Sequence, residues 1–235
     1  STASNNTAVG YKSLRANTTG IDNVAVGWSA LTANTIGGDN VAVGKQALIS
    51  NTTASNNTAL GDRALQANTT ASNNTAVGKD ALYANTTASG NVAVGYLAMQ
   101  DGTTAANSTA IGYEALANVT TVNGNHAFGF RALKACTTGA SNLAVGGSAL
   151  DAVTTGGNNV AVGNTAGGAI TTGIRNVCIG ESAGDHSPSL TTGNYNVIIG
   201  AYADATAADS NFAVAIGYDV SGAGGYTTVG QQTTD

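Results

Sequence analysis

One proline, two cysteines, twelve aromatic residues and 21 charged residues are all that 235 positions hold of the types that usually punctuate, staple or anchor a domain. Two cysteines cannot build a disulfide framework. No apolar run approaches the roughly 20 residues that span a bilayer, so membrane insertion is not expected. Eight scattered Lys and Arg against 13 Asp and Glu leave a net charge of −5, which gives nucleic acid no electrostatic footprint. What fills the chain is Ala (43), Thr (33), Gly (32) and Asn (26). The 42% hydrophobic fraction is mostly alanine, too little bulky side chain for a thick core. Glycine is far from every third residue, which excludes collagen. Low charge and polar bias would suit disorder, but the internal order of the sequence does not.

A glycine closes an Asn-x-Ala-Val-Gly-like motif at positions 10, 27, 44, 61, 78, 95, 112, 129, 146, 163 and 180, always 17 apart. Weaker copies end at Gly200, Gly217 and Gly230, after steps of 20, 17 and 13. A disordered tract has no reason to hold one phase through eleven units. Stacked coils do, because one insertion displaces every later ladder. The expected fold is all-β: a parallel β-solenoid (β-roll or β-helix) with 17-residue coils, regular over 1–180 and irregular over 181–235. A helix per coil is excluded, since helices are about 10 Å wide and coils stack at about 4.8 Å. Leucine-rich repeats escape that mismatch by curving, but need 20 or more residues.

The columns predict directions. Before each motif glycine stands Val, Leu, Ile or Phe, and two positions earlier Thr, Val, His or Leu. These share one face of a strand, while Asn and Ala share the other. The composition predicts a strand buried on both faces. Two exposed positions follow the glycine, then an Ala-Leu step with a bend, then a turn whose Thr recurs in ten coils from Thr18 to Thr171. Charges support the register: Lys45–Asp62, Asp62–Lys79, Arg63–Asp80, Glu114–Arg131 and Lys134–Asp151 are opposite-sign pairs 17 apart, against one like-sign pair, Asp22–Asp39.

A 17-residue coil encloses little apolar volume. The alanine column (Ala25, Ala42, Ala59, Ala76, Ala93) therefore predicts an apolar stripe that other copies of the chain cover, small side chains allowing close approach. The alternative is that alanine fills a narrow interior corner of a monomer. The motifs Asn-Thr-Ala-Val-Gly and Asn-Val-Ala-Val-Gly resemble the Ser-Val-Ala-Ile-Gly repeats of trimeric autotransporter adhesin heads. The fuller unit, Gly-Tyr-x-Ala-Leu-x-x-Asn-Thr-Thr in outline at Gly10–Thr19 and Gly112–Thr121, resembles repeats of phage and bacterial tail-fibre proteins. The resemblance covers about residues 4–230 and implies a left-handed parallel β-roll, trimerised along its length. The adhesin repeats are shorter than 17 residues, so strand count and trimer packing are expected to differ. The chain opens on Ser1, as expected of a processed protein or a segment of a longer fibre.

Candidate sites are few. An aromatic often follows the motif glycine, at Tyr11, Trp28, Tyr96, Tyr113, Phe130 and Tyr218. Such a rank could stack on sugar rings, with the consecutive Tyr96, Tyr113 and Phe130 best placed, or seal a groove between subunits. The Thr ranks raise an ice-binding reading, but adjacent residues point apart, so only one rank faces outward, and Thr in turns commonly bonds locally. His126 and His186 lack a nucleophile or carboxylate at a recognisable spacing, so no catalytic residue is expected and the chain reads as no enzyme. Asp22 and Asp39 are too few for a calcium site, and the Gly-Gly-x-Gly-x-Asp nonapeptide is absent, so neither metal nor cofactor is expected. Cys136 and Cys178 lie in different columns more than two coils apart, beyond disulfide reach. Asn-x-Thr sequons at Asn17, Asn51, Asn68 and Asn85 follow from the repeat itself.

Around His186, Ser187 and Pro188 one coil gains three residues, which predicts a loop leaving the stack, with Pro188 outside any ladder and His186 solvent-exposed. The expected function is structural: a fibre shaft of about 65 Å, of a virion tail fibre or a surface adhesin, extracellular and homotrimeric or otherwise homo-oligomeric, presenting attachment to a host receptor or surface glycan. The alternatives are an extracellular filament subunit, a carbohydrate-binding module using the aromatic column, and an ice-binding protein.

Overall fold

The computed structural model describes residues 3–230, and no helix occurs among them. Positions 1–2 and 231–235, the outer ends of the two segments expected from the repeat, lie outside the described residues. Contacts group the chain into two compact units, Ser1–Asn123 and Gly124–Asp235.

In the first unit the strands are β1 (Thr7–Val9), β2 (Val24–Val26), β3 (Val41–Val43), β4 (Thr58–Leu60), β5 (Thr75–Val77), β6 (Val92–Val94) and β7 (Thr109–Ile111). Each pairs in parallel with the next, residue on residue 17 further along: Val9 lies on Val26, and Val26 on Val43. In the second unit β8 (His126–Phe128), β9 (Leu143–Val145), β10 (Val160–Val162) and β11 (Val177–Ile179) keep that step. β12 (Val197–Ile199) follows after 20 residues. β13 (Asp204–Ala205) and β15 (Ser221–Gly222) form a small second ladder. β14 (Val214–Ile216) and β16 (Thr227–Val229) complete the main one, after steps of 17 and 13. Both units are parallel β-solenoids.

A three-residue strand returns to its own column within 17 residues only if the chain bends sharply, and the bend lies where the Ala-Leu step predicts it. Leu31, Leu48, Leu65 and Leu82 all have φ near +51°, and the residue two before each is also left-handed. A left-handed Leu costs about 1–2 kcal/mol. Full burial of its side chain, worth about 1.5–3 kcal/mol, offsets that cost. Backbone bonds between coils continue through the bend: the Ser29 amide donates to the Tyr11 carbonyl (2.8 Å) and the Leu31 amide to that of Ala47 (2.9 Å).

The two strand faces are disposed differently from the expectation. Ala25, Ala42, Ala59, Ala76 and Ala93 are wholly buried inside their own coils, together with the Ala and Leu of the bend. A side chain with no exposed surface cannot line a contact between chains, so the interface assignment of this column is corrected. Within one chain the strand is buried on its alanine face alone. Its Val, Leu and Ile face points outward, uncovered by the chain's own coils: Val9 is 57%, Leu60 47% and Ile111 39% exposed. The reason is volume. In the first unit the interior between strand and bend is filled mainly by Ala, one Leu per coil and Asn, which leaves the strand's branched rank outside.

Two asparagine ladders supply the polar part of that interior. In the first, the Asn40 amide donates to Asn23 Oδ1 (3.0 Å) and Asn23 Nδ2 donates to the Gly37 carbonyl (2.9 Å). The second runs through Asn17, Asn34, Asn51, Asn68 and Asn85. There Asn34 Nδ2 donates to Asn17 Oδ1 (3.0 Å) and to the same Gly37 carbonyl (2.9 Å). Buried amides are tolerated because each finds partners in its own and the adjacent coil. At Gly102 the second ladder loses its next side chain, and Asn85 Oδ1 is left buried without a partner. In the second unit that column turns apolar, with Cys136, Val153, Ile170 and Leu190 all buried.

Candidate functional site

The column after the motif glycine lies outward, as the sequence predicts. Tyr11, Trp28, Tyr96, Tyr113 and Phe130 are all exposed. Tyr11 stacks on Trp28 with ring centroids 6.4 Å apart, and Tyr96 on Tyr113 at 5.3 Å. Lys45 Nζ lies over the Trp28 ring (5.8 Å) and Lys79 Nζ over Tyr96 (6.0 Å). Phe130 belongs to the second unit, where the Arg131 guanidinium sits over its ring at 4.9 Å. A ring used as a sugar platform must offer a bare face. Tyr96 has Lys79 over its ring and Tyr113 stacked on it, so its column presents edges more than faces.

Other sequence candidates resolve individually. The first Thr of each turn pair spends its hydroxyl on the next coil, as Thr35 does on the Thr52 carbonyl (3.0 Å), which leaves one outward Thr rank. Arg63 and Asp80 form the ion pair that the 17-residue spacing predicts, at 2.7 Å. His126 lies half-buried in β8, in the outward column. Cys136 and Cys178 are free and buried. Burial pushes their thiols up to about 11 and about 12, so neither is a ready nucleophile.

The inserted loop leaves the ladder as expected, with His186, Ser187 and Pro188 exposed. It also builds something the sequence does not announce. The loop folds back on the coils that follow it, and the His186 amide donates to Asp204 Oδ2 at 2.7 Å. Asp204 is buried, its other oxygen accepts the Ala205 amide (2.7 Å), and burial pushes its carboxyl up to about 6. Anchored there, the His186 ring meets the Tyr202 ring edge to face (centroids 5.5 Å), and Tyr202 meets Tyr218 at 5.8 Å and 85°. His186 Nδ1 stands 3.8 Å from Asp219 Oδ1. These four side chains line an open cleft of about 310 Å³. The nearby Glu181 carboxylate, through its charge, raises the pKa of the Tyr202 phenol.

Tyr202 and Asp219 both stand two places after a motif glycine, so their stacking is legible in the 17-residue step. The approach of His186 is not, because no repeat rule governs a three-residue insertion. Among the described residues no group of three or more His, Cys, Asp or Glu is placed to hold a metal ion. Comparison with protein-family models, curated proteins and solved structures finds no match to this chain, so its own residues and their geometry carry the functional reading.

Proposed function

We propose that this chain is a structural β-solenoid, a shaft segment of a virion tail fibre or surface adhesin working outside the cell. It associates with further copies of itself, three in the arrangement that the repeat resemblance implies. The observation that carries the reading is the outward strand face. In the first unit its two columns hold only Val, Thr, Leu and Ile, with no charged residue from Thr7 to Ile111. Seven coils expose on the order of 500 Å² there, comparable with the largest apolar patch of a typical monomer, about 300–600 Å². One partner's share of a stable interface is about 800 Å². A second copy is the fitting occupant, because rows repeating every ~4.8 Å interdigitate best with rows of the same period.

The experiment is a native mass measurement on the wild-type chain and on variants. The double variant Val77→Arg, Val94→Arg places two guanidinium groups on the outward face. It is expected to fall to monomer mass, since an interface would bury unpaired charges. Gln46→Arg, outside the two columns, is expected to keep the wild-type mass. A monomeric wild-type chain, or equal masses for all three proteins, would remove self-association as the role of this face.

A further inference from the structure

We propose that the cleft lined by His186, Tyr202, Tyr218 and Asp219 in the second unit binds a quaternary or methylated ammonium group. This is independent of the fibre reading, since it concerns one cleft within a single chain. The shape argues first. Tyr202 and Tyr218 stand at 85° to each other and form two walls of a box, and the His186 ring packs edge to face on Tyr202. Perpendicular rings deny a flat ligand the broad platform on which a sugar would stack, and accept a compact, rounded group. The volume, about 310 Å³, lies at the small end of ligand cavities.

Charge argues second. The Asp219 carboxylate lines the cleft, Glu181 stands beside Tyr202, and no lysine or arginine lines the walls. Aromatic faces attract cations, and the attraction grows where water is partly excluded. A quaternary ammonium carries no N–H to satisfy, so it needs only π faces and a counter-charge. The walls are held in place from below: buried Asp204 fixes the His186 backbone, and the Asp219 amide donates to the Ala201 carbonyl at 3.0 Å.

The test is a calorimetric titration of the full chain with choline and, separately, with 3,3-dimethyl-1-butanol, which has the same shape without the charge. Choline is expected to saturate one site per chain, and the neutral isostere to bind at least tenfold more weakly. Tyr218→Ala and Asp219→Asn are each expected to weaken choline at least fivefold, and Tyr226→Ala to leave it unchanged. Circular dichroism checks the fold. If Tyr218→Ala misfolds, Asp219→Asn carries the test, because Asn tolerates the φ of +53° at this position. Sedimentation with phosphatidylcholine vesicles separates the sources: co-sedimentation assigns a lipid headgroup, and binding of free choline alone assigns a soluble ion. Absence of saturation, equal binding of the isostere, saturation by a methyl hexoside in place of choline, or binding that survives both site variants overturns the proposal.

Discussion

At the scale of single residues, the 17-residue glycine has a steric cause. Gly27 has φ +136°, and a Cβ added to it would lie 2.5 Å from the carbonyl oxygen of Gly44 in the next coil. Its backbone geometry suits glycine alone, and the next coil occupies the space where a side chain would go. Gly27→Ala is therefore expected to lower the unfolding free energy by about 3 kcal/mol, combining backbone strain with backbone displacement. A urea melt of the variant checks this, and a midpoint equal to wild type would mean that coil spacing relaxes freely. The asparagine ladders follow a similar logic, each side chain but Asn85 serving as both donor and acceptor within the stack. The orphaned Asn85 Oδ1 marks where that supply stops, at Gly102.

At the scale of elements, strand and bend divide the work of the coil. The strand supplies the in-register ladder, and the left-handed Leu residues close the coil while filling its interior. The inserted segment between β11 and β12 is the exception, since it adds length without adding a rung. Deleting His186, Ser187 and Pro188 would restore the 17-residue step. The deletion is expected to keep the β-sheet circular dichroism signal, because the three residues contribute no ladder bond and are exposed. It removes one amide donor from Asp204 and one wall of the cleft, so choline binding is expected to vanish with it. Loss of the sheet signal on deletion would show the segment to be part of the folded stack.

At the scale of the whole molecule, what matters is which rank of small or branched side chains meets water. Alanine lies within the coil and the β-branched rank outside it, so the two ranks should answer charge differently. An arginine at Val77 meets solvent or a second copy. Ala76→Arg, one residue earlier, drives a guanidinium into an interior with no space and no counter-charge, a loss of several kcal/mol. Ala76→Arg is expected to unfold the first unit, read as loss of sheet signal, whereas the outward arginines change mass and leave the sheet intact. A folded Ala76→Arg variant with altered mass would return the alanine column to an interface.

Repeat length, strand positions, parallel register and the Arg63–Asp80 pair were all determined by the sequence, because a fixed phase constrains each column identically in every coil. The outward aromatic rank and the exposed loop were legible for the same reason. Which strand face would be interior was not, because alternation shows that two ranks point apart without showing which way the chain curls. Only the tertiary structure decided that. The left-handed residues turn the chain toward the alanine side, and in the first unit the enclosed volume then fills mainly with Ala, Leu and Asn. The cleft was beyond the sequence too. Its walls come from two coils and from an insertion that obeys no repeat, and His186 reaches Tyr202 only because buried Asp204 anchors the loop there.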